Sequence, residues 1–143
     1  MTPATYDDVT LILKLYEVRR EEQMRAARTW FSANFKVKTL AEFDRLCPKG
    51  SGMNAHARQV ITYWDMVASF ICSGVLNQEL FFQSGRELLF VWVRVQPVLE
   101  EWRALNKDPY WLKNLETVGT AFAEYVKKHG PECYESFVAR VRG

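Results

Sequence analysis

Cysteine and histidine are scarce in this chain of 143 residues, and that scarcity removes whole classes of chemistry. The three cysteines, Cys47, Cys72 and Cys133, are odd in number and contain no close pair. No disulfide framework is expected, and free thiols point to a reducing compartment. The two histidines, His56 and His129, and the three scattered cysteines offer one pair at i, i+4, His129 with Cys133, too few ligands to hold a metal, so no metal site is expected. His56 reads as a surface residue at a helix start, and His129 as a cation at a helix end.

An excess of one charge is also missing. Nineteen basic residues face seventeen acidic ones, for a net charge of +2, which gives no general attraction to nucleic acid or to an anionic membrane. Basic residues do alternate with aromatics around Trp92–Trp102, but Glu87, Glu100 and Glu101 are interleaved, whereas nucleic-acid sites cluster positive charge.

Long clean apolar runs are absent as well. Val60–Leu76 is interrupted by Asp65, and Leu88–Leu99 by Arg94 and Pro97. Both fall short of the roughly 20 residues a spanning helix needs. The N-terminal MTPATYDDVT lacks the basic-then-apolar order of a secretion signal. A soluble, cytoplasmic chain without membrane insertion is expected.

The loop Cys47-Pro48-Lys49-Gly50-Ser51-Gly52 has no Gly-Lys-Ser/Thr sequence at phosphate-loop spacing. No serine sits in a Gly-x-Ser-x-Gly elbow. Cys72, inside an apolar run, reads as a small hydrophobe without a cue for a base. No catalytic, cofactor or metal residue is assigned, and the reading leans away from an enzyme.

What is present is apolar bulk at helical spacing. Hydrophobic residues make up 48% and aromatics 14%, with nine Phe and five Trp, enough for one core in a single domain over residues 1–143. No strands, repeats or interdomain linkers are evident. An all-α bundle of about five to seven helices is expected.

Thr5 caps the first helix, with Asp7 and Asp8 in its first turn. Apolar positions then recur at Val9, Ile12, Leu13, Tyr16, Met24, Ala27, Trp30, Phe31 and Phe35. The intervening RREEQMRAAR is charged almost all round. One helix of about 28 residues, roughly 42 Å long, is predicted. Either its charged middle lies in solvent, or the Met24/Ala27/Trp30 stripe joins a second copy in an antiparallel pair.

Thr39 caps the short LAEFDRL helix with Glu42 in a capping box. A helix over about 54–73 ends at Gly74. Asn77 caps QELFFQS, closed by Gly85. A helix from Arg86 runs past Pro97, which should kink or break it near Val93. Asp108-Pro109 restarts a helix through Tyr125 and Val126, and Pro131 opens the last.

The organising stretch is His56–Arg103. On a wheel, Val60, Trp64, Val67, Ile71 and Gly74 form one face of the first apolar run, widened on both sides, as a central helix requires. Asp65 lies at the edge of its polar strip. A partly desolvated acid must find a partner or take up a proton. It is expected either to tie to an arginine, a Trp N–H or a neighbouring helix end, or to anchor a small-molecule pocket. That pocket would be lined by Trp64 and Trp92, with Arg86, Arg94 and Arg103 as natural partners.

Tyr63-Trp64-Asp65, Gly74, Asn77-Gln78-Glu79-Leu80, Gly85, Trp92 and Pro97 together resemble the core signature of an uncharacterised bacterial all-helical family, domain of unknown function four-seven-six-zero. The acid of that pattern is usually Glu, so Asp65 departs from it by one methylene. The resemblance implies an all-helical domain, often in membrane-tethered contexts, and no established activity. The functional expectation is therefore a non-enzymatic domain acting through protein–protein contact. Its partner would be itself, as a homodimer through the first helix, or another protein. The small-ligand pocket is the alternative.

Overall fold

The two longest helices of the computed structural model, which describes residues 2–143, lie at its centre. They are α4 (Gly52–Cys72) and α6 (Arg86–Asn106). Around them stand α1 (Tyr6–Arg19), α2 (Glu22–Asn34), α3 (Leu40–Leu46), α5 (Gln78–Phe82), α7 (Lys113–His129) and α8 (Pro131–Arg142). Eight helices and no strands are found among the described residues. The fold is all-α, with one helix more than the expected range.

α4 packs chiefly on α7 and α2, and α6 on α7 and α8. One contiguous core joins Phe31 and Phe35 of α2 to Trp64 of α4, Trp92 of α6 and Phe122 of α7. Gly119 allows a close approach: a Cβ there would run into the Trp92 side chain, so the indole of α6 packs directly on the backbone of α7.

Local capping chemistry explains most of the helix starts. The Thr5 hydroxyl accepts from Asp8 N at 3.4 Å while the Asp8 carboxylate accepts from Thr5 N at 2.7 Å. Thr39 accepts from Glu42 N, Ser51 from Asn54 N and Asn77 from Leu80 N. Each supplies an oxygen to a backbone N–H that has no partner within its own helix.

Two sequence expectations are corrected, and a third is narrowed. The predicted long N-terminal helix is two helices. The chain breaks after Arg20, and the Glu21 carboxylate accepts from Gln23 N at 3.1 Å and Met24 N at 3.0 Å, starting α2 afresh. Of the kink or break expected at Pro97, the break is absent: α6 is one helix from Arg86 to Asn106 with Pro97 inside it, held by the buried Val93, Val95, Val98 and Leu99 on both sides of the proline. Asp108-Pro109 starts a turn rather than a helix. Asp108 Oδ1 accepts from Tyr110 N, and α7 begins only at Lys113, after Leu112 adopts a left-handed φ of 59°.

The cysteines are all free thiols. Cys47 is buried, and burial pushes its thiol up to about 11. Cys72 is exposed at the last residue of α4 rather than packed in the apolar arc.

Candidate functional site

α1 is apolar on two sides. Its inner side carries Leu15, Leu11 and Ile12 against the core. Its outer side carries Tyr6, Val9, Leu13 and Tyr16, which are 83%, 42%, 58% and 49% exposed. At 100° per residue these four fall within an arc of about 80°. Lone exposed apolar residues need no explanation, but a continuous stripe along one helix does. Glu17 and Thr10 border that stripe on the Tyr6 side, ahead of Lys14 and Asp7. Val18, at the helix end, and Met66 of α4 are also exposed and border a shallow depression with Met24 and Tyr63.

Three polar ties hold α1 to the bundle by its inner side. The Tyr63 hydroxyl donates to Leu15 O at 2.6 Å, and burial pushes that phenol up to about 12. Arg19 lies over the Trp64 ring, 5.2 Å from its centroid. The Asp8 carboxylate accepts from Asn77 N at 2.8 Å. Asp8 therefore serves the N-termini of α1 and α5 at once, and the bonds from Thr5 and then Asn77 hold its carboxyl below the usual range.

The residues singled out from the sequence do not converge on one cavity. Asp65 Oδ1 accepts from Leu115 N at 2.9 Å. Leu112 sits at the N-cap of α7 without a side chain able to cap, and Asp65 supplies that cap from α4. Burial raises the Asp65 carboxyl above its ordinary value, and the Leu115 bond partly opposes the rise. Of the three ties weighed for it, the one to a neighbouring helix end is observed.

None of the three arginines expected beside Asp65 bonds to it. Arg94 is the deeper charge, 5% exposed. Its Nε donates to Val141 O at 2.6 Å, and its other nitrogens donate to Phe31 O, Phe35 O and Ser32 O. One guanidinium thus serves the C-terminal carbonyls of α2 and α8, above the Phe90 ring. No carboxylate pairs with it among the described residues, and burial lowers its proton affinity. Arg103 donates to Trp111 O and pairs with Glu116 at 3.1 Å. Arg86 lies over the Phe137 ring.

Trp64 Nε1 donates to Glu87, which also takes a bidentate pair from Arg28 at 2.8 and 2.7 Å. Trp92 is buried against Gly119. In the expected dimer stripe, Met24 and Ala27 are buried and Trp30 is half-buried, because α2 lays that face on α4. Those residues are committed to the chain's own core. The exposed stripe belongs to α1 instead.

The largest concavities lie away from Asp65. One, of about 770 Å³, runs between α2 and α6 with Val60 of α4 at its floor and Phe137 of α8 at its end. Another, of about 780 Å³, lies between α6 and the start of α7, beside Trp92 and Arg103. Among the described residues no cluster of three or more His, Cys, Asp or Glu could hold a metal, and no helix is long and apolar enough to cross a membrane.

A small all-helical bundle with its charged interior groups spent on helix ends is the class this architecture defines. The chain belongs to the family described as a domain of unknown function (DUF4760), which matches residues 4–122. The match runs from the first turn of α1 into α7 and includes the Tyr63–Arg103 signature. No curated protein and no solved structure matches the chain.

Proposed function

We propose that this chain is a non-enzymatic helical contact module that pairs with a second copy of itself through the outer face of α1. The observation that carries the reading is the stripe of Tyr6, Val9, Leu13 and Tyr16, exposed on a helix whose other side is already packed. A helix apolar on both sides is the pattern of one covered on both sides.

An antiparallel two-fold pairing centred near Leu11 sets Tyr6 opposite Tyr16 of the second copy, and Val9 opposite its Leu13. α1 has 14 residues, about 21 Å of helix. That is short for a standard interface of roughly 800 Å² per partner, so the dimer is expected to dissociate on dilution.

The interior charges support the non-enzymatic part. Asp8, Asp65 and Arg94 are each bonded to backbone at helix ends, which leaves none of them free to move a proton.

An introduced charge pair tests the pairing. Val9→Asp and Leu13→Lys should each weaken self-association measured by sedimentation velocity, and the double variant, which sets Asp opposite Lys across the pair, should restore it. Two single variants that self-associate as the wild type does would remove this reading.

A further inference from the structure

The groove between α2 and α6 has a composition that the pairing of α1 does not use. We infer that it binds a small amphiphilic anion, an aliphatic carboxylate, with the headgroup between Arg25 and Arg86 and the chain along Phe90 and Val91.

Four observations carry this. The first is charge. The groove is lined by three guanidiniums and one carboxylate, and Arg28 neutralises Glu87 through two short bonds. That leaves Arg25 and Arg86 exposed and without an acid partner among the described residues. The second lies beneath the floor. Arg94 is buried with no carboxylate beside it, and its guanidinium stacks 4.5 Å from the centroid of the Phe90 ring. A full cation met only by the partial charges of helix-end carbonyls adds positive potential on the Phe90 side of the groove.

The third is the floor itself. Phe31, Val60 and Val91 close it from beneath, and the half-buried Phe90 offers ring surface to the opening. The fourth is size. About 770 Å³ falls within the roughly 300–1,000 Å³ of small-molecule sites. Thr29 and Ser32 on the rim add hydroxyls that can donate to a carboxylate. A polar anion would leave the aromatic floor wet, and a neutral hydrocarbon would leave both cations unused. An aliphatic carboxylate satisfies both.

The test is a titration of the full chain with decanoate, followed by backbone amide chemical shifts, with decanol and inorganic phosphate as the tail-only and head-only probes. Decanoate should shift amides of α2 and α6 around Thr29 and Phe90 in a saturable way and bind at least about tenfold tighter than either control. Arg25→Gln combined with Arg86→Gln should weaken decanoate by about tenfold or more and leave decanol unchanged. Both arginines are exposed, so the variant should keep the wild-type circular dichroism. Equal binding of decanol and decanoate, decanoate binding that ignores the two substitutions, shifts located elsewhere, or no saturable shift would each overturn the inference. A groove that takes only an acidic peptide and not decanoate would overturn it too.

Discussion

α1 and α6 both carry more apolar surface than a one-sided helix needs, yet the bundle treats them differently. In α6 ten residues are buried, including Arg94. In α1 only Asp8 and Leu15 are, while four large apolar side chains face outward along one line. The difference shows that apolar content alone does not decide which helix becomes central. α6 is surrounded because α7, α8, α4 and α3 all pack on it. α1 is held by its inner side through Tyr63, Arg19 and Asp8, and its outer side is left for something else.

The largest effect expected lies inside α6. Arg94→Met removes the donor to four carbonyls at the ends of α2 and α8 and should lower the unfolding free energy by about 3 kcal/mol or more, read from urea denaturation. A loss below about 1 kcal/mol would mean that those carbonyls find other partners. Next is Gly119→Ala, whose methyl meets the Trp92 side chain. A cost of about 1–3 kcal/mol is expected from overpacking, with altered Trp fluorescence.

Asp65 comes third. Asp65→Ala should cost about 1 kcal/mol, the usual worth of a lost N-cap. Asp65→Asn keeps an acceptor for Leu115 N and should stay within about 0.5 kcal/mol of wild type. The sign of its pH dependence follows from the raised carboxyl. The folded protein holds that proton more tightly than the unfolded chain, so the contribution of Asp65 is most favourable at acid pH. It declines as pH climbs from the ordinary 3.8 through the raised value. Asp65→Asn should abolish that decline. Asp8 has the opposite sign: its lowered carboxyl stabilises the fold above 3.8 and stops doing so as pH falls through the lowered value. Acid titration of wild type against Asp8→Asn separates the two.

The smallest stability effect belongs to the outer face of α1. Leu13→Lys should change monomer stability by no more than about 0.5 kcal/mol, because that side chain is 58% exposed. A cost near that of Arg94→Met would break the contrast between the two helices.

Features written in neighbouring residues were legible from the sequence. Thr5, Thr39, Asn77, Gly74 and Pro131 mark helix ends through bonds or backbone angles within a few positions, and the fold class followed from helical spacing. The misses are long-range or unusual in type. The apolar spacing of the first helix lapses once near Arg20, but glutamate is an uncommon N-cap, so the start of α2 at Glu21 was read through as mid-helix. With it went the distinction between the buried Met24/Ala27 stripe and the exposed Tyr6–Tyr16 stripe. Asp108 offered an N-cap that the chain used for a turn, while the cap of α7 came from Asp65, fifty residues away in sequence. Arg94 looked like a partner for Asp65 because opposite charges on apolar helices invite pairing. Its carbonyl partners leave no mark in the sequence. Gly119 did leave one: a glycine inside a strongly periodic helix is a cost that close packing offsets.

The central claim is that the outer face of α1 is an interface between copies. It is tested most directly by light scattering across a concentration series of the wild type and Leu13→Lys side by side. The account predicts that the wild-type mass rises with concentration toward twice the 16.7 kDa chain, while Leu13→Lys stays at the single-chain mass. A wild type that holds the single-chain mass throughout, or a variant that dimerises as readily, would contradict it.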